Sequence, residues 1–339
     1  MDLRYGTNPH QAARLTDTGP LTVRGGTPSY INILDALGAW QLVREASRAL
    51  GAPVAASFKH VSPAGVAVAG DLDGTARRSW NLGTGNVGPL TSAYVRARDC
   101  DPKSSFGDMI AVSEPVDEEL ATFVRGVIAD GIIAPGYAPG TAEMLARKKH
   151  AAFCVIEVNP EYEPPAWERR EVFGVVFEQE RDAGPLPALS ADATLGMIAL
   201  RYTQSNSVAF VRDGMTIGVA AGQQSRVDCT RLAGEKAEVW WRRRDPAARE
   251  PAFAPKRRRQ DRLNELIQRA AELPVAPLDD VTMVSDGFLP FRDNVDVAHE
   301  YGVRCIVEPG GSTRTPDVQA ACREHGIELV HTGVRLFRH

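Results

Sequence analysis

Lys59 and His60 are the adjacent residues of this sequence best suited to chemistry. They place an ammonium group beside an imidazole directly after the apolar run 54–58. Such a pair can move a proton and hold a developing negative charge, which acyl transfer requires. Pro63 and Gly65 predict a turn that presents both side chains at a strand end, where α/β folds place their ligands. A Lys-His dipeptide alone is most often a solvated surface pair, but this context favours an enzyme.

A run of five polar residues, Thr203-Gln204-Ser205-Asn206-Ser207, leads into a predicted strand. Each polar group that is buried there needs a hydrogen-bond partner, so the run is a poor choice for strand stability alone. The run therefore predicts a functional site. The segment Gly222-Gln223-Gln224-Ser225-Arg226, taken by itself, predicts only an exposed polar loop after a hairpin.

Four other segments have ordinary structural explanations. Asp108 could satisfy backbone donors in the turn before a strand, and Asp293 could be the N-cap of the next helix. The apolar side chains of the segment 288–291 would normally be assigned to the core. The C-terminal segment 335–339 would usually fray.

The composition is that of an ordinary soluble globular protein. The 339 residues exceed one small core and predict two lobes. The chain is 43% apolar and 24% charged with a net charge of −4, which gives no electrostatic case for nucleic acid or an acidic membrane. The basic clusters 242–244 and 256–259 are predicted to be solvated helix faces without a ligand.

The sequence gives no signal for a membrane or a secreted location. No apolar run has the length of a membrane helix, and the first residues lack the apolar core of a secretion signal, so we expect a cytoplasmic protein. The five cysteines stand singly without Cys-x-x-Cys spacing, so neither a disulfide framework nor a zinc knuckle is predicted.

The elements that must position these residues alternate between helix and strand, which predicts an α/β layer structure. Apolar residues at helical spacing predict a helix over 34–50, and Gly51-Ala52-Pro53 ends it. Prolines and charges over 160–170 predict a connection and a lobe boundary. The remaining predicted strands are 54–58, 109–112, 131–134, 153–158, 172–178, 207–211, 216–220, 282–284, 303–307 and 328–331, and the remaining predicted helices are 118–128, 141–149, 190–201, 230–245, 260–272, 294–301 and 315–325.

Together, the motifs resemble the AICAR transformylase family, the formyl-transferring part of the bifunctional enzyme that ends purine biosynthesis. The resemblance runs from about Leu3 to His339. It implies two cytidine-deaminase-like α/β/α lobes, residues 1–165 and 166–339, without the IMP cyclohydrolase domain that is normally fused ahead of them. The segments that carry it are Arg4-Tyr5-Gly6-Thr7-Asn8-Pro9-His10-Gln11, Ser57–Gly65, Asp101–Asp108, Thr203–Ser207, Gly222–Ala237, Ser285–Asn294 and the C-terminal Arg335-Leu336-Phe337-Arg338-His339.

The resemblance also implies a reaction, in which the formyl group of 10-formyltetrahydrofolate passes to the 5-amino group of AICAR to give FAICAR and tetrahydrofolate. The family's catalytic roles fall on His60 as the base toward the amine and on Lys59 near the formyl oxygen and leaving nitrogen. Asn206 matches a residue that positions the amine and the formyl group. AICAR has a weakly nucleophilic amine, so base assistance and orientation are what the site must add.

The binding roles implied by the resemblance form three sets. Asp108 would either orient His60 or contact the carboxamide of the nucleotide. The substrate contacts are Arg4, Tyr5, Asp108, Arg226, Arg335 and Phe288. The cosubstrate contacts are Asp293, Phe288, Pro290 and Gln223. The positions that match a potassium site are Thr203, Ser205, Ser207, Asp286, Leu336 and His339.

Members of the family are homodimers with sites across the subunit interface, and we expect the same here, with a separate IMP cyclohydrolase to close the ring. A formyltransferase for a related aminoimidazole nucleotide and a non-catalytic nucleotide-binding regulator remain alternatives. A zinc nucleoside deaminase is disfavoured, because the sequence contains neither His-x-Glu nor Pro-Cys-x-x-Cys.

Overall fold

A computed structural model describes residues 1–249, 258–274 and 277–339 of the chain. The strands are β1 (Leu21–Gly25), β2 (Val54–Lys59), β3 (Ser62–Val68), β4 (Asp108–Val112), β5 (Ala129–Ala134), β6 (Cys154–Val158), β7 (Trp167–Val172), β8 (Val175–Glu180), β9 (Val208–Arg212), β10 (Met215–Ala220), β11 (Val281–Ser285), β12 (Val303–Glu308) and β13 (Glu328–His331). The α-helices are α1 (Tyr30–Leu50), α2 (Gly74–Ser79), α3 (Pro89–Cys100), α4 (Glu118–Arg125), α5 (Thr141–Ala146), α6 (Ala191–Arg201), α7 (Arg226–Arg242), α8 (Pro246–Arg249), α9 (Arg259–Glu272), α10 (Asp293–Glu300) and α11 (Thr315–His325), and a 3₁₀ turn spans Lys148–Ala151.

One mixed sheet runs through the described residues in the order β1-β6-β5-β4-β2-β3-β10-β9-β11-β12-β13. The α/β fold class predicted from the sequence is confirmed. The first half contributes an antiparallel hairpin, β2–β3, followed by the mutually parallel strands β4, β5 and β6. The second half repeats this plan with the hairpin β9–β10 and the parallel strands β11, β12 and β13.

The two copies of this plan join where β3 pairs antiparallel with β10, with Ala67 opposite Met215. Helices cover both faces of the sheet. On one face, α1 and α6 pack together over a core cluster that contains Leu42 and Met197. On the other face, α3 and α7 lie over the joined hairpins, and Phe210 belongs to the core beneath α7.

Glycines in the two inner strands allow these helices to approach closely. A Cβ on Gly65 of β3 would overlap the carbonyl oxygen of Ala97 in α3 and lie 2.6 Å from the Cβ of Cys100. In the same way, a Cβ on Gly218 of β10 would overlap the backbone of α7, 2.9 Å from the amide nitrogen of Ala237. The prediction that Pro63 and Gly65 form a turn is therefore wrong. Both lie within β3, where the glycine is needed for helix packing.

Strands β7 and β8 form a separate two-stranded ribbon that is exposed along its length. The turn between them carries Phe173, which is fully exposed. The sequence predicts a single lobe strand at 172–178, and this is wrong, because the segment instead turns back on itself at Gly174.

The prediction that residues 242–244 form a solvated face is also wrong for Arg243. Its guanidinium is fully buried and bonds to Asp99 Oδ1 at 3.0 Å, while Arg244 reaches Asp99 Oδ2 at 2.9 Å. The carboxylate provides the compensation that a buried cation needs. In the second basic cluster, Lys256 and Arg257 lie outside the described residues.

No helix in the described ranges is both long enough and apolar enough to cross a membrane.

Candidate functional site

One edge of the sheet collects the residues that the sequence singled out. The carboxyl ends of β2, β10, β11, β12 and β13 lie there, together with the amino ends of β3, β4, β5, β6 and β9. Both halves of the chain therefore contribute to this edge. Ligands of α/β sheets generally bind at the carboxyl ends of the parallel strands, and the second half contributes these ends. The first half instead contributes the amino ends of its parallel strands.

The Lys-His pair lies at the tip of the β2–β3 hairpin. His60 and Val61 form its two-residue turn, with φ angles of 54° and 59°. The imidazole of His60 is exposed, and Lys59 Nζ donates a hydrogen bond to the carbonyl oxygen of Phe106 at 2.7 Å. The amide of Val61 donates to Asp35 Oδ1 at 2.7 Å. The pair is thus held at the surface of the edge, where a substrate could reach both side chains.

Asp108 is fully buried beside this hairpin, at the amino end of β4. Its carboxylate accepts hydrogen bonds from Arg98 and Ser57, both at 2.6 Å, and from the Tyr94 hydroxyl at 3.2 Å. Burial raises the pKa of Tyr94 well above its usual value, so its hydroxyl remains a donor. No hydrogen bond between Asp108 and His60 occurs among the described residues. The arrangement supports the strand ends but does not place the carboxylate on the imidazole.

Asn206, Arg226 and Asp286 form the polar centre of the second half. The Arg226 guanidinium is buried and bonds to Asp286 Oδ1 at 2.5 Å, to Ser285 Oγ at 2.8 Å and to Asn206 Oδ1 at 2.6 Å. The Asn206 side-chain amide donates to the carbonyl oxygen of Gln223 at 2.9 Å. The arginine therefore fixes the amide of Asn206 in one orientation. Its charge is already compensated by Asp286, which differs from the free substrate contact that the resemblance implies.

Three of the positions that match a cation site, Ser205, Ser207 and Leu336, bond to the same aspartate. Ser205 Oγ donates to Asp286 Oδ2 at 2.6 Å, and the Leu336 amide donates to the Asp286 carbonyl at 2.9 Å. Thr203 Oγ1 donates to the Ala199 carbonyl, whereas Ser207 Oγ is buried and has no hydrogen-bond partner among the residues that the structure describes. No group of three or more His, Cys, Asp or Glu side chains in the described ranges is placed to hold a metal. The oxygen-rich set suits a hard monovalent ion, and the unpartnered hydroxyl is the observation that favours one.

The turn after β11 presents two aromatic rings. Phe288 and Phe291 are exposed, while Leu289 between them is buried. The Leu289 amide donates to Glu308 Oε2 at 3.2 Å, and Glu308 Oε1 lies 3.0 Å from His331 Nε2. The buried carboxylate thus ties this turn to the ends of β12 and β13.

Asp293 follows this turn and is the first residue of α10, with Arg292 in the N-cap position. The expectation that Asp293 is itself the N-cap is wrong. Its exposed carboxylate accepts one hydrogen bond, from the Asn294 side-chain amide at 2.8 Å. This leaves acceptor sites for a ligand, since a carboxylate can accept about four hydrogen bonds.

Both ends of the chain supply exposed arginines. The Arg4 guanidinium lies 4.8 Å from the centre of the Tyr5 ring and donates to its hydroxyl at 3.0 Å. The Arg335 guanidinium lies 4.6 Å from the centre of the Phe337 ring, and the His339 carbonyl accepts from Arg170 at 3.0 Å. Planar guanidinium groups held against rings and open to solvent are suited to bind phosphate.

Sequence reasoning missed several polar residues at this edge. Asp130, at the amino end of β5, pairs with Lys149 at 2.6 Å; the aspartate is half-buried and the lysine is exposed. Asp35 on α1 and the pair of Glu308 and His331 were missed as well. Asp130 directly precedes a predicted strand, as Asp108 does, and this position could have identified it.

Comparisons with known proteins agree with the motifs. A family model described as AICARFT/IMPCHase bienzyme matches residues 1–236. The bifunctional purine biosynthesis protein PurH of Roseobacter denitrificans is 34% identical over 99% of this chain and 59% of its own length. The proteins of the same name from Magnetococcus marinus and Cereibacter sphaeroides are 32% and 34% identical over the same shares. The chain thus spans 59% of the length of these curated relatives.

Proposed function

The chain belongs to the AICARFT/IMPCHase bienzyme family, and from this premise we propose that it transfers the formyl group of 10-formyltetrahydrofolate to the 5-amino group of AICAR, a step of purine biosynthesis. One observation carries the proposal. Lys59 and His60 of the first half and Asn206 of the second half all lie at one sheet edge, beside exposed arginines from both chain ends. A base, an oxyanion donor and anion-binding groups are what this reaction needs.

The proposed chemistry begins with His60. Its exposed imidazole takes a proton from the AICAR amine as the nitrogen attacks the formyl carbon. Lys59 donates a hydrogen bond to the oxyanion of the tetrahedral intermediate, and the Asn206 side-chain amide exchanges its 3.2 Å bond to the Gln224 carbonyl for a bond to the same oxyanion. The intermediate then collapses with loss of the folate nitrogen, which receives the proton that His60 took from the amine. The Phe106 carbonyl holds Lys59 in place before substrate binds, since it accepts from Nζ at 2.7 Å.

The substrates would occupy opposite parts of the edge. Arg4 and Arg335 would bind the nucleotide phosphate, with Tyr5 packed beside Arg4. Arg226 would act through Asn206, because its guanidinium is already bonded to Asp286 and Ser285. Asp108 would hold the ends of β2 and β4 in place near the carboxamide of the bound nucleotide. The folate would lie against the turn after β11 and the loop between β10 and α7. Its contacts would be Phe288, Pro290, Asp293 and Gln223.

We further propose that a potassium ion binds near Asp286 and, by coordinating oxygen atoms, holds the segment that leads into β9. The unpartnered hydroxyl of Ser207 supports it. The oxygens that would hold the ion come from Thr203, Ser205, Ser207, Asp286, Leu336 and His339. Residues 1–165 and 166–339 would be the two cytidine-deaminase-like lobes, and the repeated strand plan supports this division.

A homodimer in the cytoplasm is the proposed assembly. The exposed apolar side chains of the ribbon β7–β8, including Val172, Phe173 and Phe177, support a covered surface in the assembled protein.

The test is the release of tetrahydrofolate by purified protein supplied with AICAR and 10-formyltetrahydrofolate. We expect the Lys59→Ala and His60→Ala proteins to lose turnover by at least about 10²-fold, the size of a general-base contribution. His299→Ala is the control, because this exposed histidine lies at the end of α10 away from the edge. A His60→Ala protein with near-native turnover would remove the proposed base.

A further inference from the structure

The two hairpins of the sheet share the same kind of turn. His60 and Val61 join β2 to β3 with φ angles of 54° and 59°, and Asp213 and Gly214 join β9 to β10 with φ angles of 51° and 71°. Each turn has two residues, and all four φ angles lie in the left-handed region. This is the geometry that matches the twist of paired strands in a tight hairpin.

The sequences of the two turns differ greatly in how well they suit that geometry. Asp-Gly is among the preferred pairs for it, because glycine adopts positive φ without steric cost. His-Val is a poor pair, since valine is branched at Cβ and each non-glycine residue in the left-handed region costs about 1–2 kcal/mol. The turn that presents the proposed base therefore needs support that the other turn does not.

A carboxylate from the preceding helix contacts each turn. Asp35 Oδ1 of α1 accepts from the Val61 amide at 2.7 Å, and Asp192 Oδ1 of α6 accepts from the Gly214 amide at 2.7 Å. Asp35 is buried, with 5% of its surface exposed. Burial raises the pKa of Asp35, although the amides of Val61 and His60 and the nearby imidazole oppose that rise. The chain thus keeps a costly buried acid beneath the strained turn.

We propose that Asp35 is the positioning residue for His60, and that its carboxylate holds the left-handed His-Val turn so that the imidazole stands at the sheet edge. The proposal rests on the function proposed above only for the role of His60 as base. The positioning itself is a property of the turn. In the second half, the equivalent carboxylate supports a turn that is already favourable, so Asp192 offers a matched comparison within the same chain.

The kinetic test compares Asp35→Ala with Asp35→Asn and Asp192→Ala. We expect Asp35→Ala to lower kcat by about 10²-fold, the loss associated with a misplaced catalytic group, while KM for both substrates changes less than threefold. Asp35→Asn keeps an oxygen acceptor and should retain kcat within about threefold. Asp192→Ala should retain kcat within about twofold, because its turn lies at the opposite edge.

A rescue experiment separates positioning from general damage to the fold. Val61→Gly in the Asp35→Ala background relieves the left-handed strain, and we expect it to restore at least about tenfold of the lost kcat. Failure of Val61→Gly to restore turnover, or equal losses in Asp35→Ala and Asp192→Ala, would overturn the proposal.

Hydrogen exchange of the peptide 58–64, followed by mass spectrometry, tests the turn without reference to activity. We expect the Val61 amide, which is bonded to Asp35, to exchange at least about tenfold faster in Asp35→Ala than in the unmodified protein, with no change in Asp192→Ala. Unchanged exchange would refute the positioning role. If the unmodified protein has no transferase activity, this measurement still decides the role of Asp35, so the two proposals fail separately.

Discussion

The buried pair of Arg226 and Asp286 gives the sharpest test of how the second half of the site is built. Asp286 has no exposed surface. Its carboxylate accepts from the Arg226 guanidinium through Oδ1, and from the Ser205 hydroxyl and the Ser207 backbone amide through Oδ2. Arg226 in turn orients Asn206. We therefore consider the variants Arg226→Met and Asp286→Asn, alone and together.

The magnitude follows from burial. Each single variant leaves one member of a buried ion pair without its partner, which costs about 3–5 kcal/mol of unfolding free energy. The double variant removes both charges and should lose much less than the sum, so the coupling energy should reach about 2–3 kcal/mol. Turnover should fall in Arg226→Met, because the guanidinium that fixes Asn206 is absent.

Urea denaturation followed by circular dichroism measures the four free energies. Asp228 and Arg231 provide the control cycle on the same helix, because their side chains are 3.1 Å apart but about half exposed. Exposed pairs of this kind typically couple by about 0.2–0.5 kcal/mol. A coupling between Arg226 and Asp286 no larger than this control would refute the view that a buried charge pair holds Asn206.

Three other predictions concern packing and pH. Gly65→Ala should lose about 1–3 kcal/mol in thermal denaturation because its Cβ would overlap α3, whereas Gly184→Ala, where the Cβ meets nothing within 4 Å, should change stability by less than about 0.5 kcal/mol. Burial by itself raises the pKa of Asp99, but the guanidiniums of Arg243 and Arg244 outweigh burial and leave the pKa below its usual value. The carboxylate therefore stabilises the fold above about pH 4, and this stabilisation is lost as the pH falls through the folded-state pKa. Urea titrations should accordingly show that acid lowers the free energy of unfolding less in Asp99→Asn than in the unmodified protein. Burial lowers the pKa of Lys148 to about 7, so the charged amine destabilises the fold below pH 7 and this destabilisation fades toward pH 10. In urea titrations, Lys148→Met should therefore be more stable than the unmodified protein at pH 6, with a smaller difference at pH 9.

The sequence predicted the fold where the helices and strands have one-sided or uniform apolar patterns. α1, β4, β5, β11 and β13 occur close to the predicted positions. α3 was missed because it is buried on nearly every side and contains buried polar residues such as Arg98 and Asp99, so it has no apolar stripe to detect.

Glycine and arginine gave the misleading signals. Gly65 suggested a turn, yet its role is to admit α3 against β3, and sequence spacing does not reveal a helix that crosses from elsewhere. Arg243 looked like part of a solvated cluster, because its partner Asp99 is 144 residues away in the chain. Such contacts depend on tertiary packing and leave no local pattern.

The motifs of the candidate site can be read from the sequence, but their geometry cannot. The resemblance brought together Lys59, Asn206 and Arg335, and the structure brings their segments to one sheet edge. The residue types alone did not reveal that Arg226 is bonded to Asp286, or that Asp35 accepts from the turn that carries His60. Both contacts join residues from different elements, so only the folded chain shows them.

The exposed ribbon between the two halves has a consequence for engineering. Its tip, Phe173 and Gly174, lies outside the shared sheet, while the cluster containing Leu42 and Met197 binds the halves together. A chain opened at this tip would give two fragments, each with part of the edge that holds the proposed site and each able to recover its missing strand neighbours only from the other. Two proteins fused to the new ends would then control reassembly of the fragments when they bind each other. The ribbon therefore makes this chain suitable for a split-protein assay of protein–protein binding.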